Sequence, residues 1–207
     1  MWIRSTDFEP WGLLPDWAAY RNLDAAGRLI EGANVNPGLV WGDVPAGTKS
    51  LALYCVDDDV PLMFEKRIGV HVPRRRFVHG LLIDCPPEAR NLSPGLWRPG
   101  LVPFGRCGVN DYVEPGEEPL AGEPGRGYDG PWPPTGDERW HAYRFQVLAL
   151  NVPRLDLPDY FSGVDFEEAL QGAVLAGAEI IGRYSLNSIM KRAAVRIRHK
   201  RSDSCTQ

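Results

Sequence analysis

Two histidines and a pair of aspartates lie in a pattern that can bind a small anion. Asp57 and Asp59 follow one apolar run, His79 lies inside a second, and His141 precedes a third. The chain has only four histidines, so two of them in such positions indicate a possible site. A carboxylate beside an imidazole favours the imidazolium and fixes the ring tautomer, and an imidazolium donates well to phosphate oxygens. We therefore interpret Asp57 as a group that orients His79 or His141, and not as a general base.

Polar residues thus form three stretches, around Asp57, around His79 and before the third apolar run. The third stretch contains a rigid loop and a tyrosine as well as His141. Glycine permits unusual backbone angles and proline fixes φ, so the loop beginning Gly130-Pro131 can present the Gly130 amide to an oxygen ligand. Tyr143 lies two residues after His141 and shares its face on an extended strand. The sequence therefore predicts that the phenol donates to the same anion as the histidines.

Each of these residues also has a purely structural interpretation. A lone histidine in an apolar run is more often a buried core residue than a ligand, and the Gly-Pro loop can be a plain turn. Asp58 is interpreted as a turn residue, because aspartate disfavours strand interiors and should end the first run. The occurrence of all three stretches favours a shared site, provided that their strands are neighbours.

Short apolar runs predict the strands that would position these groups. Residues 50–56, 77–83 and 143–150 have strand length and are bounded by Gly, Pro or Asp. Residues 86–137 are dense in Gly and Pro without a period, and the acidic part at 114–126 is predicted to be mobile. A helix is predicted at about residues 165–184, where Asp165 and Glu168 form a capping-box-like start.

Composition limits the classes of protein that the chain can represent. With 207 residues, 43% of them apolar, it can form one domain, predicted at residues 1–186, followed by a basic tail at 187–207 that we expect to be partly disordered. The net charge of −4 argues against nucleic-acid binding. No apolar stretch approaches the ~20 residues of a spanning helix, and no signal peptide is recognisable, which predicts a cytoplasmic protein with at most peripheral membrane contact. The four cysteines form no C-x-x-C, so we expect reduced thiols and no zinc site.

The order of these stretches resembles the phosphatidylethanolamine-binding protein family, and within it the bacterial Raf-kinase-inhibitor-like branch. The family's D-P-D-x-P turn is matched at residues 57–61, its F-x-H at 77–79, and its G-P-x-P-P followed by H-x-Y at 130–134 and 141–143. Residues 36–41 and 44–53 resemble S-P-x-L-x-W and V-P-x-G-T-K-S-L-A-L, while 172–176 and 182–184 resemble the C-terminal helix. The resemblance covers roughly residues 30–186.

This resemblance implies a mainly β fold, an antiparallel β-sandwich with peripheral helices and a C-terminal helix. It implies a long ligand-bearing loop within residues 86–137 and phospholipid headgroups such as phosphoethanolamine as ligands. From the residues themselves we expect no cofactor, although two histidines and an acid are also able to bind a metal. The implied site places the first acid in the pocket and the second in the supporting turn, and comprises Asp57, Asp59, Pro61, His79, Gly130, Pro131, His141 and Tyr143.

Two departures from the branch affect the expected pocket. The C-terminal motif G-H-V-L-A commonly has a histidine where this chain has Ala173, which puts a helix contribution to the site in doubt. The proline-rich loop often carries a cysteine where this chain has Trp132, which predicts a reshaped pocket mouth.

Three functions remain open at the level of sequence. The favoured one is a non-enzymatic protein that binds a small phosphate- or carboxylate-bearing ligand. The alternatives are a regulatory protein that inhibits a kinase or protease, and a hydrolase that uses Asp57, His79 and His141. No G-x-S-x-G or H-E-x-x-H motif supports an enzyme. The apolar segment at 96–104, together with the pairing of branch members, predicts a homodimer.

Overall fold

Strands make up most of the regular structure in a computed structural model that describes residues 1–114, 117 and 125–193. A 3-10 turn at Asp16–Ala18 and the helix α1 at Gly163–Ala169 accompany them. The strands, numbered in chain order, are β1 (Trp2–Ser5), β2 (Arg21–Leu23), β3 (Leu29–Glu31), β4 (Leu39–Gly42), β5 (Ser50–Pro61), β6 (Arg74–Cys85), β7 (Asn91–Leu92), β8 (Arg106–Cys107), β9 (His141–Leu150) and β10 (Val174–Tyr184).

A five-stranded antiparallel sheet, in the order β10-β9-β5-β6-β8, forms the centre of the molecule. Because successive side chains of a strand alternate between faces, β5 buries Leu51 and Leu53 on one side and Ala52 and Tyr54 on the other. The first face packs against the three-stranded sheet β1-β4-β7, and the second packs against the segment around α1. The predicted β-sandwich with peripheral helix is confirmed.

The predicted helix at residues 165–184 is wrong beyond Ala169. Ser162, and not Asp165, is the N-cap: its hydroxyl accepts from the Asp165 amide, and the Asp165 carboxylate accepts from the Ser162 amide. From residue 174 the chain forms β10, paired antiparallel with β9 along its length. Pairing with a buried strand outweighs the helix propensity of the alanines here. The motifs at 172–176 and 182–184 therefore lie largely in a strand, and the chain becomes helical again at 188–193.

The triple aspartate does not end β5, which continues to Pro61. Asp58 accepts a hydrogen bond from Nε of Arg76 at 2.7 Å and faces Arg144 at 3.8 Å, so it is an ion-paired strand residue and not a turn residue. Oδ1 of Asp57 accepts from the Asp59 amide at 2.7 Å, next to a shift in the β5–β6 register. These partners compensate for the low strand propensity of aspartate.

Some of the sequence predictions fall wholly or partly outside the residues that the structure describes. The acidic stretch at 114–126 lies mostly outside the described residues, as do Cys205 and the basic tail from residue 194 onward. Cys55, Cys85 and Cys107 are free and buried, all three in strands. No helix among the described residues is long and apolar enough to cross a membrane.

Candidate functional site

The three polar stretches meet where the central strands of the sheet lie side by side. Strand β5 lies between β6 and β9, and Asp57 is opposite Phe77 on β6 and Tyr143 on β9. Asp57, Tyr143 and both predicted histidines border one cavity of about 430 Å³. The three strands are therefore neighbours, and their polar side chains border one cavity.

A β-bulge directs His79 toward this cavity. Cys55 is opposite Gly80 and the next residue, Val56, is opposite Val78, so His79 is the extra residue on β6. Such a bulge can re-aim a side chain next to a site. The His79 ring lies 4.9 Å from Phe77 and 5.0 Å from Tyr143, measured between ring centroids. Gly80 leaves room for the indole of Trp97, which is 3.1 Å from where a Cβ would lie, and not for a ligand.

The hydrogen bonds of His79 define its tautomer. Its Nδ1 is 2.7 Å from the carbonyl oxygen of Asp129, and a carbonyl can only accept, so Nδ1 carries a proton. Burial lowers the pKa of His79, although Asp57 and the Asp129 carbonyl act in the opposite direction. The ring is therefore neutral near pH 7, and Nε2 presents a lone pair to the cavity. Within the described chain this nitrogen has no hydrogen-bond partner.

Tyr143 supplies a donor beside that lone pair. Burial raises the pKa of its phenol well above the ordinary value, so the hydroxyl keeps its proton. No described residue accepts a hydrogen bond from this hydroxyl. The hydroxyl oxygen is not among the fully solvent-inaccessible atoms without a partner. His79 therefore offers the cavity an acceptor, and Tyr143 offers it a donor.

His141 borders the cavity but is used by the protein itself. Nδ1 donates to Oδ2 of Asp57 at 2.6 Å, and Nε2 donates to Oδ2 of Asp137 at 3.1 Å. Burial disfavours the charged ring, but the hydrogen bonds to Asp137 and Asp57 outweigh it and raise the pKa of His141 to about 9. His141 is therefore an imidazolium that holds Asp57, which differs from the expectation that it donates to the ligand.

Arg74 is the last member of a chain of ion pairs that runs from Asp57 through His141 and Asp137. Its guanidinium donates to Oδ1 of Asp137 at 3.1 Å, and both side chains are nearly inaccessible to solvent. Burial opposes ionisation of Asp137, but hydrogen bonds from His141 and Arg74 prevail and lower its pKa to about 2. The charges of Asp57, His141, Asp137 and Arg74 alternate and cancel, so the wall behind the site is close to neutral.

Asp59 and Pro61 support the site without bordering the cavity. Oδ2 of Asp59 accepts from the Ala142 amide at 2.9 Å and Oδ1 lies 2.9 Å from Arg139, so this acid fastens β5 to the start of β9. Pro61 ends β5 opposite Arg74. These contacts give Asp59 a structural role beside the cavity.

The Gly130–Pro131 backbone is also directed away from the cavity. The Gly130 amide donates to Oδ1 of Asn34 at 2.7 Å, and the Pro131 carbonyl accepts from the Tyr20 amide at 3.0 Å. A Cβ on Gly130 would lie 1.9 Å from the carbonyl oxygen of Ala18. Glycine is needed here because the N-terminal segment packs against the loop, and the predicted amide donor is not available to a ligand.

Aromatic side chains and a few charged groups form the walls and the mouth of the cavity. Tyr112 and Trp132 stack at 10° with 6.4 Å between ring centroids, and Trp132 is 44% exposed. The predicted change at the pocket mouth thus takes the form of an exposed indole. Ala173, by contrast, is buried in the apolar cluster beside α1. The cavity is also bordered by Phe64, Arg75, Phe77, Asp111 and Glu114.

Sequence reasoning missed the residues that hold the site together. Asp129 is fully buried, and its carboxylate accepts from Nδ2 of Asn34 at 2.6 Å and Nδ2 of Asn110 at 2.8 Å. Its backbone amide also donates to the His79 carbonyl at 2.9 Å, so Asp129 fixes both the backbone and the ring of His79. Its place directly before Gly130-Pro131 was the available signal. The described residues contain no His, Cys, Asp or Glu cluster suited to a metal ion.

Comparison with known proteins agrees with this architecture. The family described as "Phosphatidylethanolamine-binding protein" matches residues 4–185. A UPF0098 protein of Aquifex aeolicus is 36% identical over 155 residues, covering 74% of this chain and 76% of its own length. UPF0098 protein YbhB of Escherichia coli is 31% identical, covering 77% and 87%. The crystal structure of E. coli YbcL, described as a new member of the mammalian PEBP family, superposes with a TM-score of 0.70 at 25% identity, covering 89% of this chain and 97% of YbcL. This chain therefore belongs to the phosphatidylethanolamine-binding protein family.

Proposed function

We propose that this protein binds a small phosphate-bearing ligand, such as a phosphoethanolamine headgroup, in the cavity beside His79 and Tyr143, and that it does so without turnover. One observation carries the proposal. Nε2 of His79 and the hydroxyl of Tyr143 face the same cavity, and neither has a hydrogen-bond partner in the described part of the chain. Unused polar atoms in a largely aromatic pocket are the usual means of orienting a ligand.

The tautomer of His79 determines which phosphate species binds. With Nδ1 donating to a carbonyl, neutral Nε2 can only accept, so a dianion would face a lone pair. A proton must therefore lie between them, either on the phosphate or on Nε2. Tyr143 donates in both cases. We expect the affinity to increase as the pH falls, because burial lowers the pKa of His79 below its ordinary value.

The surroundings favour a zwitterionic headgroup over phosphate alone. The alternating charges of Asp57, His141, Asp137 and Arg74 cancel, so the ionised Asp57 does not by itself repel an anion. Asp111 also borders the cavity and can accept a hydrogen bond from an ammonium group, whereas the Trp132 ring already carries the Arg21 guanidinium at 5.1 Å from its centroid. Arg75, over the face of Phe77, provides a cation near the phosphate end.

A binding role without turnover rests on the weakness of the available nucleophile. Burial raises the pKa of the Tyr143 hydroxyl, so it forms a phenolate with difficulty, and His79 is positioned by a backbone carbonyl instead of a carboxylate. We expect no hydrolysis of p-nitrophenyl phosphate above the buffer rate. Turnover that is lost in Tyr143→Phe would contradict this part of the proposal.

Titration calorimetry with phosphate and phosphoethanolamine tests the binding site. His79→Ala and Tyr143→Phe should each weaken binding by roughly 1.5–3 kcal/mol, the scale of a lost hydrogen bond to a charged group. Asp58→Asn is the matched control, since Asp58 is ion-paired with Arg76 and does not border the cavity. Unchanged affinity in both test variants would disprove the proposal.

A further inference from the structure

Three consecutive large apolar side chains are held in solvent at the mouth of the cavity. Leu62, Met63 and Phe64 are 56%, 54% and 68% exposed, and they begin the loop that joins β5 to β6. Nowhere else in the described ranges are three such residues consecutive and exposed. Single exposed apolar residues are common on protein surfaces, but a contiguous group indicates contact with a partner. We call these three residues the apolar tip.

The base of this loop is firmly attached to the domain. Ile68 is 1% exposed and exchanges backbone hydrogen bonds of 3.0 Å with Gly136 and Glu138. Arg74 donates to the carbonyls of Asp59, Gly69 and Val72 at 2.8–3.0 Å. An unattached loop could fold its apolar residues onto the surface, whereas this attached loop keeps them exposed.

We infer that the apolar tip inserts into the interface of a lipid bilayer carrying anionic lipid, so that the mouth of the cavity faces the membrane. The continuity of the two surfaces supports this inference, because Phe64 and the exposed indole of Trp132 border the cavity itself. Aromatic rings and aliphatic side chains of this size partition into the headgroup region.

The charges of the loop itself complement an anionic surface, while Asp111 and Glu114 border the adjoining cavity. Residues 62–75 contain a single acid, Glu65, against four basic residues. Arg74 and Arg67 are paired with Asp137 and Glu138, while Lys66 and Arg75 remain exposed beside the tip. Basic residues next to an inserted apolar group add electrostatic attraction to anionic lipid, which salt should weaken.

Flotation with vesicles of phosphatidylglycerol and phosphatidylcholine tests this inference. The full chain should float with these vesicles, less well in high salt and less well with phosphatidylcholine alone. Phe64→Ser should reduce the partition coefficient about tenfold, the scale set by burying one such side chain. Replacing all three tip residues by serine should abolish flotation without changing the unfolding temperature, because the side chains are exposed. Val164→Ser is the matched control, since Val164 is 67% exposed on α1.

The inference builds on the proposed binding function, but the two can fail separately. His79→Gln should lose phosphate affinity in solution and still float, because the tip is intact. Flotation lost in His79→Gln but kept in the triple-serine variant would assign vesicle binding to the cavity and overturn the inference. Absence of flotation by the wild-type chain would also overturn it. A third result would also overturn the inference: light scattering that shows a dimer for the wild type and a monomer for the triple-serine variant. The tip would then be the contact between two copies of the chain.

Discussion

Asp137 accepts a hydrogen bond from Nε2 of His141 at 3.1 Å, and this contact removes from the cavity the one ring nitrogen that Asp57 leaves free. Both partners of His141 are carboxylates, which accept when ionised, so the ring must carry two protons. His79 has the opposite state, neutral with an open lone pair. Two histidines that look equivalent in the sequence thus have different surroundings: His141 holds Asp57 in place, and His79 borders the cavity with a free lone pair.

The charged state of His141 should appear in the pH dependence of stability. Its pKa is raised to about 9 from an ordinary 6.5, so its contribution is complete below pH 6.5 and is lost as the pH rises through 9. The free energy of unfolding should therefore fall by on the order of 3 kcal/mol across that interval. Urea unfolding at several pH values measures this slope. His141→Gln should remove it whatever its overall stability, and an equal slope in both proteins would contradict the assignment.

Removing the charge of Asp137 should be costly, because it leaves Arg74 buried without its partner. The two side chains are 1% and 7% exposed. Asp137→Asn should lower the free energy of unfolding by about 3–5 kcal/mol, the range for breaking a buried ion pair. Glu138→Gln is a close control, since its pair with Arg67 is solvent-exposed and should change stability by less than about 1 kcal/mol. Similar losses in the two variants would show that burial does not determine the effect.

Gly130 should tolerate no side chain. A Cβ there would lie 1.9 Å from the Ala18 carbonyl, and backbone on both sides would have to move. We expect Gly130→Ala to destabilise the protein by about 3 kcal/mol, near the upper end for overpacking. Gly69→Ala, where nothing lies within 4 Å of the added Cβ, should stay within about 0.5 kcal/mol of wild type. Thermal unfolding of the pair decides this, and a stable Gly130→Ala protein would refute the packing argument.

The strands that carry the site were predictable because their apolar runs are short and bounded by turn residues. Strand β10 was not, since an alanine-rich segment becomes a strand only through its pairing with β9. The hydrogen bond from the Gly130 amide could not be predicted from the sequence, because its acceptor Asn34 is 96 residues distant. The hydrogen bonds of His141 could not be predicted either, although one partner is close in sequence. Asp137 is only four residues away, but which ring nitrogen it takes depends on how the loop before β9 turns.

Nitrogen-15 NMR of the histidine rings tests the central claim most directly, because it reports the protonation of each ring nitrogen. Near pH 7 without ligand, His79 should be a neutral ring with the proton on Nδ1, and His141 should be an imidazolium. Saturating phosphate should shift the Nε2 signal of His79, either by protonating that nitrogen or by a hydrogen bond from the phosphate, and leave both signals of His141 unchanged. A proton on Nε2 of His79 in the free protein, or phosphate binding that leaves the His79 ring unaffected, would contradict the proposed site.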